Sequence, residues 1–285
     1  MRINHNISSM TTQGALFSAN RAQNKNLEKL STGLRINRSS DDAAGLAISE
    51  NLRAQVKGAG QARKNAQDGI SVLNIAEGAA NEVSSILQRM RELAVQSSTD
   101  TLTDNERTYT NQEFKQLNEE IDRIADVTNF NGLKLISKDT GSKGRLGGGS
   151  TGSALWVDAN DKVGVDSLTI TIDTLTTDST GLSISDDNIA TQTGAVDAIT
   201  ALDAAISSVN SMRSDLGSYV NRLDHTVNNL IISQTNQQAA ESQIRDVDFA
   251  SESSDFTKNQ ILSQSATAML SQANSQTQSV LGLLR

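Results

Sequence analysis

Residues 48–94 constrain the fold of this chain most, because small and apolar residues recur along them at steps of three and four. The stripe consists of Ile48, Leu52, Gln55, Ala59, Ala62, Ala66, Gly69, Leu73, Ala76, Ala80, Val83, Leu87, Met90 and Ala94. A seven-residue repeat over several heptads indicates a long helix wound around partner helices. At 1.5 Å per residue it would be roughly 70 Å long. Gln55 is the one polar member, so we expect other helices to cover this face throughout.

Two further helices are predicted to pack against this face. The longer one has a stripe with the same spacing, which consists of Ile199, Leu202, Ile206, Val209, Arg213, Leu216, Val220, Leu223, Val227 and Leu230. The shorter one, residues 104–128, follows a capping box of Thr103 and Glu106 and has a stripe of Phe114, Leu117, Ile121 and Ile124. Asn131 and Gly132 form a turn signal that we expect to close this helical hairpin.

The middle of the chain has a different composition. Residues 137–153 are rich in Gly, Ser and Lys, and from Leu168 to Asp173 apolar and polar residues alternate. Alternation of this kind predicts a half-buried strand. We interpret residues 137–185 as a small β insertion of one or two hairpins. Because the chain runs out along one long helix and returns along another, we expect the insertion at the distal end.

Both ends of the chain carry amphipathic patterns. Near the start, Ile3, Ile7, Met10, Gly14 and Phe17 follow heptad spacing, and the stripe then shifts phase to Leu27, Leu30 and Leu34. We interpret the shift as a stutter in a supercoil. Near the end, the stripe consists of Leu262, Ala266, Met269, Ala273, Gln276, Val280 and Leu283. Ser39 with Asp42 is predicted to cap the long helix that follows.

These terminal stripes contain few large side chains, so the two ends would bury little area by pairing only with each other. At about 25 cal/mol per Å² of buried apolar area, the stabilisation hardly offsets an ordering cost of about 1–2 kcal/mol per residue. We therefore expect the ends to fold only when neighbouring copies cover them, in an open helical filament. The predicted polymerisation interface consists of Ile3, Ile7, Met10, Phe17, Leu27, Leu30, Leu34, Leu262, Ala266, Met269, Ala273, Val280 and Leu283.

The predicted fold class is mainly α: a long antiparallel helical rod or coiled-coil bundle formed by both chain ends, with a small β-hairpin insertion. We predict three domains. Residues 1–42 and 246–285 form a terminal polymerisation domain, residues 43–136 and 186–245 form a helical rod domain, and residues 137–185 form the insertion. The chain contains no proline and no cysteine. Nothing therefore forces a helix break, and disulfides, thiolate catalysis and Cys-based zinc sites are excluded.

Charge and hydropathy argue against several partners. Residues 1–65 contain ten Lys/Arg and four Asp/Glu, whereas the whole chain has a net charge of −8. Overall acidity argues against a nucleic-acid binder. No run of 18 apolar residues occurs, so we expect no transmembrane helix and no membrane insertion. The first residues lack the apolar core of a cleaved signal peptide, so we expect a cytoplasmic protein or export by a route that reads no such signal.

Several short sequence motifs resemble those of the bacterial flagellins. In the first half they are Leu30-Ser31-Thr32-Gly33-Leu34-Arg35-Ile36-Asn37, Asp41-Asp42-Ala43-Ala44-Gly45-Leu46-Ala47-Ile48, Gln67-Asp68-Gly69-Ile70-Ser71, Leu87-Gln88-Arg89-Met90-Arg91-Glu92-Leu93-Ala94 and Asn129-Phe130-Asn131-Gly132. In the second half they are Ser242-Gln243-Ile244-Arg245-Asp246-Val247-Asp248-Phe249-Ala250 and Val280-Leu281-Gly282-Leu283-Leu284-Arg285. Together they cover roughly residues 1–136 and 190–285, as in a short flagellin without large variable outer domains.

The resemblance implies a self-assembling structural subunit of the extracellular flagellar filament, used for swimming. Its terminal helices would form the inner tube, and its rods would form the outer tube. The resemblance also implies export through the flagellum's own channel without a cleaved signal peptide, an export chaperone, and cap and junction proteins as partners. Arg89, Leu93 and Glu113 match the family's contact positions for an animal innate-immune receptor.

No active site or cofactor site is evident in the sequence, so we expect a protein that is not an enzyme and binds no cofactor or metal. His5 and His225 stand apart from other ligand residues, and no His-Glu-x-x-His motif occurs. The Ser and Thr residues between 171 and 193 either carry O-linked sugars or are unmodified hydroxyls. Two alternative functions stay open: a hook–filament junction protein of the same family, and a secreted helical interaction module.

Overall fold

The computed structural model describes residues 5–138, 153–158, 166–178, 181–185 and 187–282. The helices are α1 (Ile7–Thr32), α2 (Ala43–Ser97), α3 (Asp104–Val127), α4 (Gln192–Arg245) and α5 (Phe249–Gly282). The strands are β1 (Asn129–Phe130), β2 (Leu133–Lys134), β3 (Ser153–Trp156) and β4 (Ser167–Ile170). They form two antiparallel pairs, β1 with β2 and β3 with β4. The predicted fold class, mainly α with a small β insertion, is confirmed.

The chain forms two compact units. We call Met1–Val56 with Thr235–Arg285 the terminal unit, and Lys57–Gln234 the bundle unit. Helices α2 and α4 each contribute residues to both units. The finer division into a polymerisation domain, a rod domain and an insertion remains a prediction about the assembled state.

The core of the bundle unit is the α2 stripe. Every stripe position from Ala59 to Ala94 is buried. Opposite it lie buried side chains of α3, such as Phe114 and Ile121, and of α4, such as Leu216. Alternating steps of three and four keep one face of α2 turned toward its partners, and the alanines allow close approach. The predicted packing of the three helices is therefore present in this unit.

The connection between α2 and α3 is fixed by the buried Arg107. Its guanidinium donates to the carbonyl oxygens of Ser97 (3.0 Å) and Thr99 (2.8 Å), where α2 ends. A cation at this position satisfies carbonyls that have no partner within the helix. At the start of α3, Glu106 accepts from the backbone N–H of Thr103 (2.8 Å) and from its hydroxyl (2.9 Å). These hydrogen bonds hold the pKa of Glu106 below its usual value, and they confirm the predicted capping residues.

The turn after α3 differs from the prediction. Asn131 (φ 52°) and Gly132 (φ 78°) both adopt left-handed backbone conformations and join β1 to β2. Two successive positive φ values are the mark of a type I′ hairpin turn, which asparagine and glycine tolerate best. The turn therefore closes a β-hairpin, and the prediction that it closes the helical hairpin is wrong.

The insertion lies along the helices of the bundle unit, so its predicted distal position is also wrong. Near one end, Leu155 packs over the buried Gly69, where an added Cβ would lie 2.4 Å from its methyl carbon. Further along, the N–H and hydroxyl of Thr177 donate to Asp122 (2.9 and 2.8 Å), and Asn118 Nδ2 donates to the carbonyl oxygen of Ile184 (3.2 Å). The cause is the apolar content of the insertion, which is buried at Val157, Leu168, Ile170, Ile172, Leu175, Leu182 and Ile184.

In the terminal unit, a tight connection leads from α1 to α2. Gly33 ends α1 with a left-handed backbone (φ 73°), and its carbonyl accepts from the N–H of Val247 (3.0 Å). The N–H of Gly45 then donates to Asp42 Oδ1 (2.9 Å) at the start of α2. Asp42 is therefore the N-cap, and the predicted capping role of Ser39 is wrong. The reason is that α2 begins at Ala43, which leaves Asp42 directly before the first helical residue.

Candidate assembly interface

Helices α1 and α5 pack against each other in antiparallel orientation along one continuous seam. On α1 the seam consists of Ser9, Thr12, Leu16, Ala19, Gln23, Asn26 and Leu30, and on α5 of Glu252, Phe256, Asn259, Ser263, Ala266, Leu270 and Ala273, all partly or fully buried. Steps of three and four continue without interruption on both helices. The predicted stutter is therefore wrong. Phe17 and Leu30 lie on different faces of a regular helix.

Polar contacts cross this seam at several levels. Asn6 Nδ2 donates to the carbonyl oxygen of Ala273 (3.0 Å), and Ser9 Oγ donates to Asn274 Oδ1 (3.0 Å). Near the middle, Ser263 Oγ donates to Asn20 Oδ1 (2.8 Å). Such contacts fix position more than they add stability, because each replaces hydrogen bonds to water. Of the side chains described in α1 and α5, Ala19, Asn26 and Ala273 are buried and the rest keep contact with solvent.

The most exposed large apolar side chains of the pair lie outside the seam, whereas Leu16, Leu30, Phe256 and Leu270 are half-buried within it. We call six of the exposed ones the outer apolar set: Ile7, Met10, Phe17, Ile261, Leu262 and Met269. Met10 is 65% exposed, Phe17 69% and Met269 58%. The side chains of His5, Ile7, Met10 and Thr11 line a shallow groove at the start of α1. Exposed apolar groups concentrated on two paired helices indicate an interaction surface.

The predicted interface residues occupy three environments. Exposed positions are Ile7, Met10, Phe17, Leu27, Leu262 and Met269. Leu30, Ala266 and Ala273 lie in the seam, and Leu34 pairs with Asp246 in an isolated β-bridge. Ile3 and Leu283 lie outside the described residues, and so does the side chain of Val280. Ile261 is not among the predicted interface residues, although its position next to Leu262 in the sequence could have indicated it.

The surroundings of the outer apolar set contain very little charge. Residues 3–20 and 259–282 include no Asp, Glu, Lys or Arg, and His5 is their one ionisable side chain. Within the described ranges, no group of three or more His, Cys, Asp or Glu side chains is arranged to hold a metal ion. Burial of apolar surface is therefore the interaction that this region offers to a partner.

The three predicted receptor-contact residues lie near the end of α2 and on α3. Arg89 donates through Nε (3.1 Å) and Nη2 (3.0 Å) to Glu113 Oε1, and it also donates to Glu92 (3.1 Å). The hydrogen bond to Glu113 raises the pKa of Arg89. Arg89 and Glu113 are exposed, whereas Leu93 is only 1% exposed and packs in the core. The structure therefore brings the two charged residues together at the surface and places the leucine beneath it.

Searching the described helices for a stretch long and apolar enough to cross a bilayer finds none. Among solved structures, a putative flagellar hook-associated protein from Vibrio parahaemolyticus resembles this fold. Its TM-score is 0.54 at 16% identity, over 72% of this chain and 100% of that one. At that identity the likeness concerns the fold alone.

Sequence comparison with known families covers most of the chain. The bacterial flagellin N-terminal helical region matches residues 3–140, and the bacterial flagellin C-terminal helical region matches residues 199–284. Flagellin FlaB2 of Treponema pallidum is 48% identical over 293 aligned residues, and a flagellin of Halalkalibacterium halodurans is 48% identical over 286. Both alignments cover all of each chain. The chain therefore belongs to the bacterial flagellins, the structural subunits of the extracellular flagellar filament.

Proposed function

We propose that this flagellin polymerises through the outer apolar set of α1 and α5, with additional contacts from Leu27 and from the terminal residues Ile3, Val280 and Leu283. The observation that carries the proposal is the exposure of Met10, Phe17 and Met269 on a pair of helices whose seam leaves these large apolar side chains uncovered. Covering one such side chain contributes about 1.5–3 kcal/mol. Several of them covered together supply a driving force beyond that of the α1–α5 seam.

The proposed product is an open filament with helical symmetry. The apolar groups of α1 and α5 differ in sequence, so one copy offers two unlike surfaces to its neighbours. Unlike surfaces make heterologous contacts, which continue indefinitely unless the rotation closes a ring. In this proposal residues 1–42 and 246–285 form the polymerisation domain, residues 43–136 and 186–245 form the rod, and residues 137–185 form the insertion.

Truncation and point substitution test this proposal at two levels. Deletion of residues 258–285 removes most of α5 and should leave a helical monomer that does not elongate. Phe17→Ser and Met269→Ser should raise the concentration needed for filament growth, as followed by sedimentation and electron microscopy. Val127→Ser, which changes an exposed apolar side chain of the bundle unit, serves as the matched control. Filaments formed by the truncated chain would contradict the assignment.

The order of the two ends depends on assembly in this proposal. Amide hydrogen exchange on the monomer should show rapid exchange in α1 and α5 and slow exchange around Leu87, whose side chain is fully buried. After polymerisation, α1 and α5 should become protected as well. Equal protection of both units in the monomer would mean that the ends need no neighbours to order.

We propose export and capping partners for this chain, and its membership in the flagellin family supports the proposal. An export chaperone would cover the ends before assembly, the chain would travel through the flagellar channel without loss of a signal peptide, and cap and junction proteins would contact its terminal helices. The contacts of Ser9 with α5 support retention of the N-terminal segment, because cleavage there would remove part of the seam. Intact-mass measurement on purified filaments should give the uncleaved chain, and a shorter N-terminus would contradict this proposal.

We also propose contact with an animal innate-immune receptor at Arg89, Leu93 and Glu113. The exposed Arg89–Glu113 pair supports a direct role for those two residues, and the burial of Leu93 supports a packing role beneath them. A reporter-cell assay should respond to the monomer and respond less to Arg89→Ala. Arg123→Ala is the matched control, because Arg123 forms an exposed ion pair with Glu120 elsewhere on α3. Absence of any response to the unsubstituted monomer would end this proposal.

A further inference from the structure

Asn26 is an unusual member of the α1–α5 seam. It is 8% exposed. Among the described seam residues, Asn26 is the one polar residue that is buried. A buried amide in a heptad seam costs stability unless each of its polar atoms is paired. Its partners therefore determine where the two helices can meet.

Those partners all lie within two turns of α5, apart from one on α1 itself. The Asn26 side-chain amide is oriented so that its nitrogen faces acceptors and its oxygen faces donors. The nitrogen donates to Glu252 Oε1 (3.1 Å) and to the carbonyl oxygen of Ala22 (3.0 Å). The amide oxygen accepts from Asn259 Nδ2 (3.1 Å) and from the N–H of Phe256 (3.2 Å). One turn further along α1, Lys29 Nζ lies 3.3 Å from Glu252 Oε2. Glu252 thus receives hydrogen bonds from two α1 residues.

The other seam residues discriminate poorly between alternative registers. Seam positions recur every seven residues on both helices, so sliding α5 by seven residues again places seam against seam. Alanine, serine and threonine occupy many of these positions and fit opposite one another in either register. In the slid register that brings Ser263 opposite Asn26, the carboxylate of Glu252 would lose both Asn26 and Lys29. Asn26 would also lose Asn259 and the N–H of Phe256.

We infer that Asn26, acting with Lys29 on Glu252, sets the register of the α1–α5 pair. A single polar residue in a coiled-coil seam specifies register in this way, at a cost in stability. Register determines which outward side chains of α1 lie beside those of α5, and hence the arrangement of the outer apolar set. The inference concerns contacts within one chain, and it does not depend on the proposed polymerisation.

Disulfide trapping can report the register directly, because the natural chain has no cysteine. Asn20→Cys with Ser263→Cys reports the native register, since these two side chains touch at 2.8 Å. Asn20→Cys with Leu270→Cys or with Phe256→Cys reports a slide of seven residues in either direction. Disulfides form readily only when the two Cα atoms are about 4.4–6.8 Å apart, so each pair reads one register. Mixing ¹⁵N-labelled and unlabelled chains separates bonds within a chain from bonds between copies.

With Asn26 intact, we expect the native pair to cross-link and the two slid pairs to cross-link little. Asn26→Leu should raise the yield of at least one slid pair relative to the native pair by about tenfold or more, the factor expected for lost hydrogen bonds to a charged group. Asn26→Ala, which cannot overfill the seam, should do the same. Gln23→Leu makes the same amide-to-leucine change one seam position away, and it should keep the native register.

Three outcomes would overturn the inference. The first is exclusive native cross-linking in both Asn26→Leu and Asn26→Ala, and the second is equal slippage in Gln23→Leu. The third is a native pair that fails to cross-link within the unsubstituted seam. Cross-linking is carried out in the state in which amide exchange shows α1 and α5 protected, whether filament or monomer, so the readout remains a bond within one chain and does not require filaments. Unimpaired polymerisation of Phe17→Ser and Met269→Ser would instead count against the proposed assembly surface, and it would leave the register inference untouched.

Discussion

The bundle unit and the terminal unit use the same helical spacing in opposite ways. In the bundle unit, the large side chains of Leu73, Leu87 and Met90 face the seam and are buried. In the α1–α5 pair, Ala19 and Asn26 face the seam, while Met10 and Phe17 face outward. The first arrangement completes a core within one chain, and the second keeps apolar surface available to another molecule.

The contrast shows that a heptad pattern specifies a helix and a set of faces, but not which face is covered. Helix α2 illustrates this within a single element. From Ala59 onward its stripe is buried, whereas Ile48, in the same stripe, is 52% exposed and the adjacent Ser49 is fully buried. Burial is decided by what lies opposite each face, and the spacing alone does not reveal it.

Truncation of a core leucine should have the largest effect on the stability of the single chain. Leu87→Ala removes a fully buried side chain and leaves a cavity, so it should lower the unfolding free energy of the bundle unit by about 2–5 kcal/mol. Urea denaturation followed by circular dichroism measures this loss. A cost below about 0.5 kcal/mol would show that the α2 stripe is not the core that distinguishes this unit.

Two glycines of α2 should respond in opposite directions to alanine. An added Cβ at Gly78 meets no atom within 4 Å, so Gly78→Ala should stabilise the bundle unit by about 0.5–1 kcal/mol. At Gly69 the same Cβ would overlap Leu155, and displacement of that side chain should cancel or exceed the helical gain. The pair of variants is compared in the same denaturation experiment. Equal stabilisation by both would show that β3 does not rest tightly on the helix.

Substitution of an outward side chain should leave the single chain nearly unchanged. Phe17→Ser should alter its unfolding free energy by less than about 0.5 kcal/mol, because the side chain is mostly exposed. Its effect should instead appear in the filament, which should melt at a lower temperature. Scanning calorimetry of monomer and filament separates the two effects. A strongly destabilised monomer would place Phe17 in a core and remove the contrast between the units.

A modest, pH-dependent effect is expected for a surface carboxylate of the bundle unit. Asp126 accepts from Ser137 (2.6 Å) and Lys134 (3.0 Å), and these hydrogen bonds lower its pKa. A lowered pKa means that the carboxylate stabilises the fold above its unfolded value of about 3.9 and that this contribution disappears as the pH falls through the lowered pKa. Because Asp126 is largely exposed, Asp126→Asn should cost no more than about 1 kcal/mol at pH 7.

The pH dependence of that cost provides its own control. Near pH 2 the natural chain and Asp126→Asn should converge in unfolding free energy, as measured by urea titration at each pH. A difference that stays constant between pH 7 and pH 2 would mean that the ionised carboxylate is not the stabilising group.

Periodicity and short-range capping patterns correctly predicted those elements whose stabilising residues lie close together in the sequence or recur at regular spacing. The stripe from Ala59 to Ala94 and the capping residues Thr103 and Glu106 depend only on periodicity and short-range hydrogen bonds. The predicted capping role of Ser39 is wrong, because two acidic residues follow it closely and the sequence does not show which of them directly precedes the first helical residue. Helical existence was therefore easier to predict than the exact residue at which a helix begins.

Features that depend on distant partners were predicted poorly. The seam of α1 could not be distinguished from its outer stripe, because both follow steps of three and four and both contain large apolar side chains. Asn26 gave no signal, since its role requires Glu252 and Asn259 from the other end of the chain. The position of the insertion likewise depends on a match between Leu155 and Gly69 that neither residue reveals alone.

The nearly charge-free composition of residues 3–20 and 259–282 has a consequence outside the cell. Dissolved ions weaken attractions between charged groups, but the contacts of these segments contain almost none to weaken. Salts that are excluded from protein surfaces would even favour the burial of Met10 and Phe17. A filament that assembles through the proposed surface should therefore keep its cohesion when a swimming cell passes from fresh water into brine.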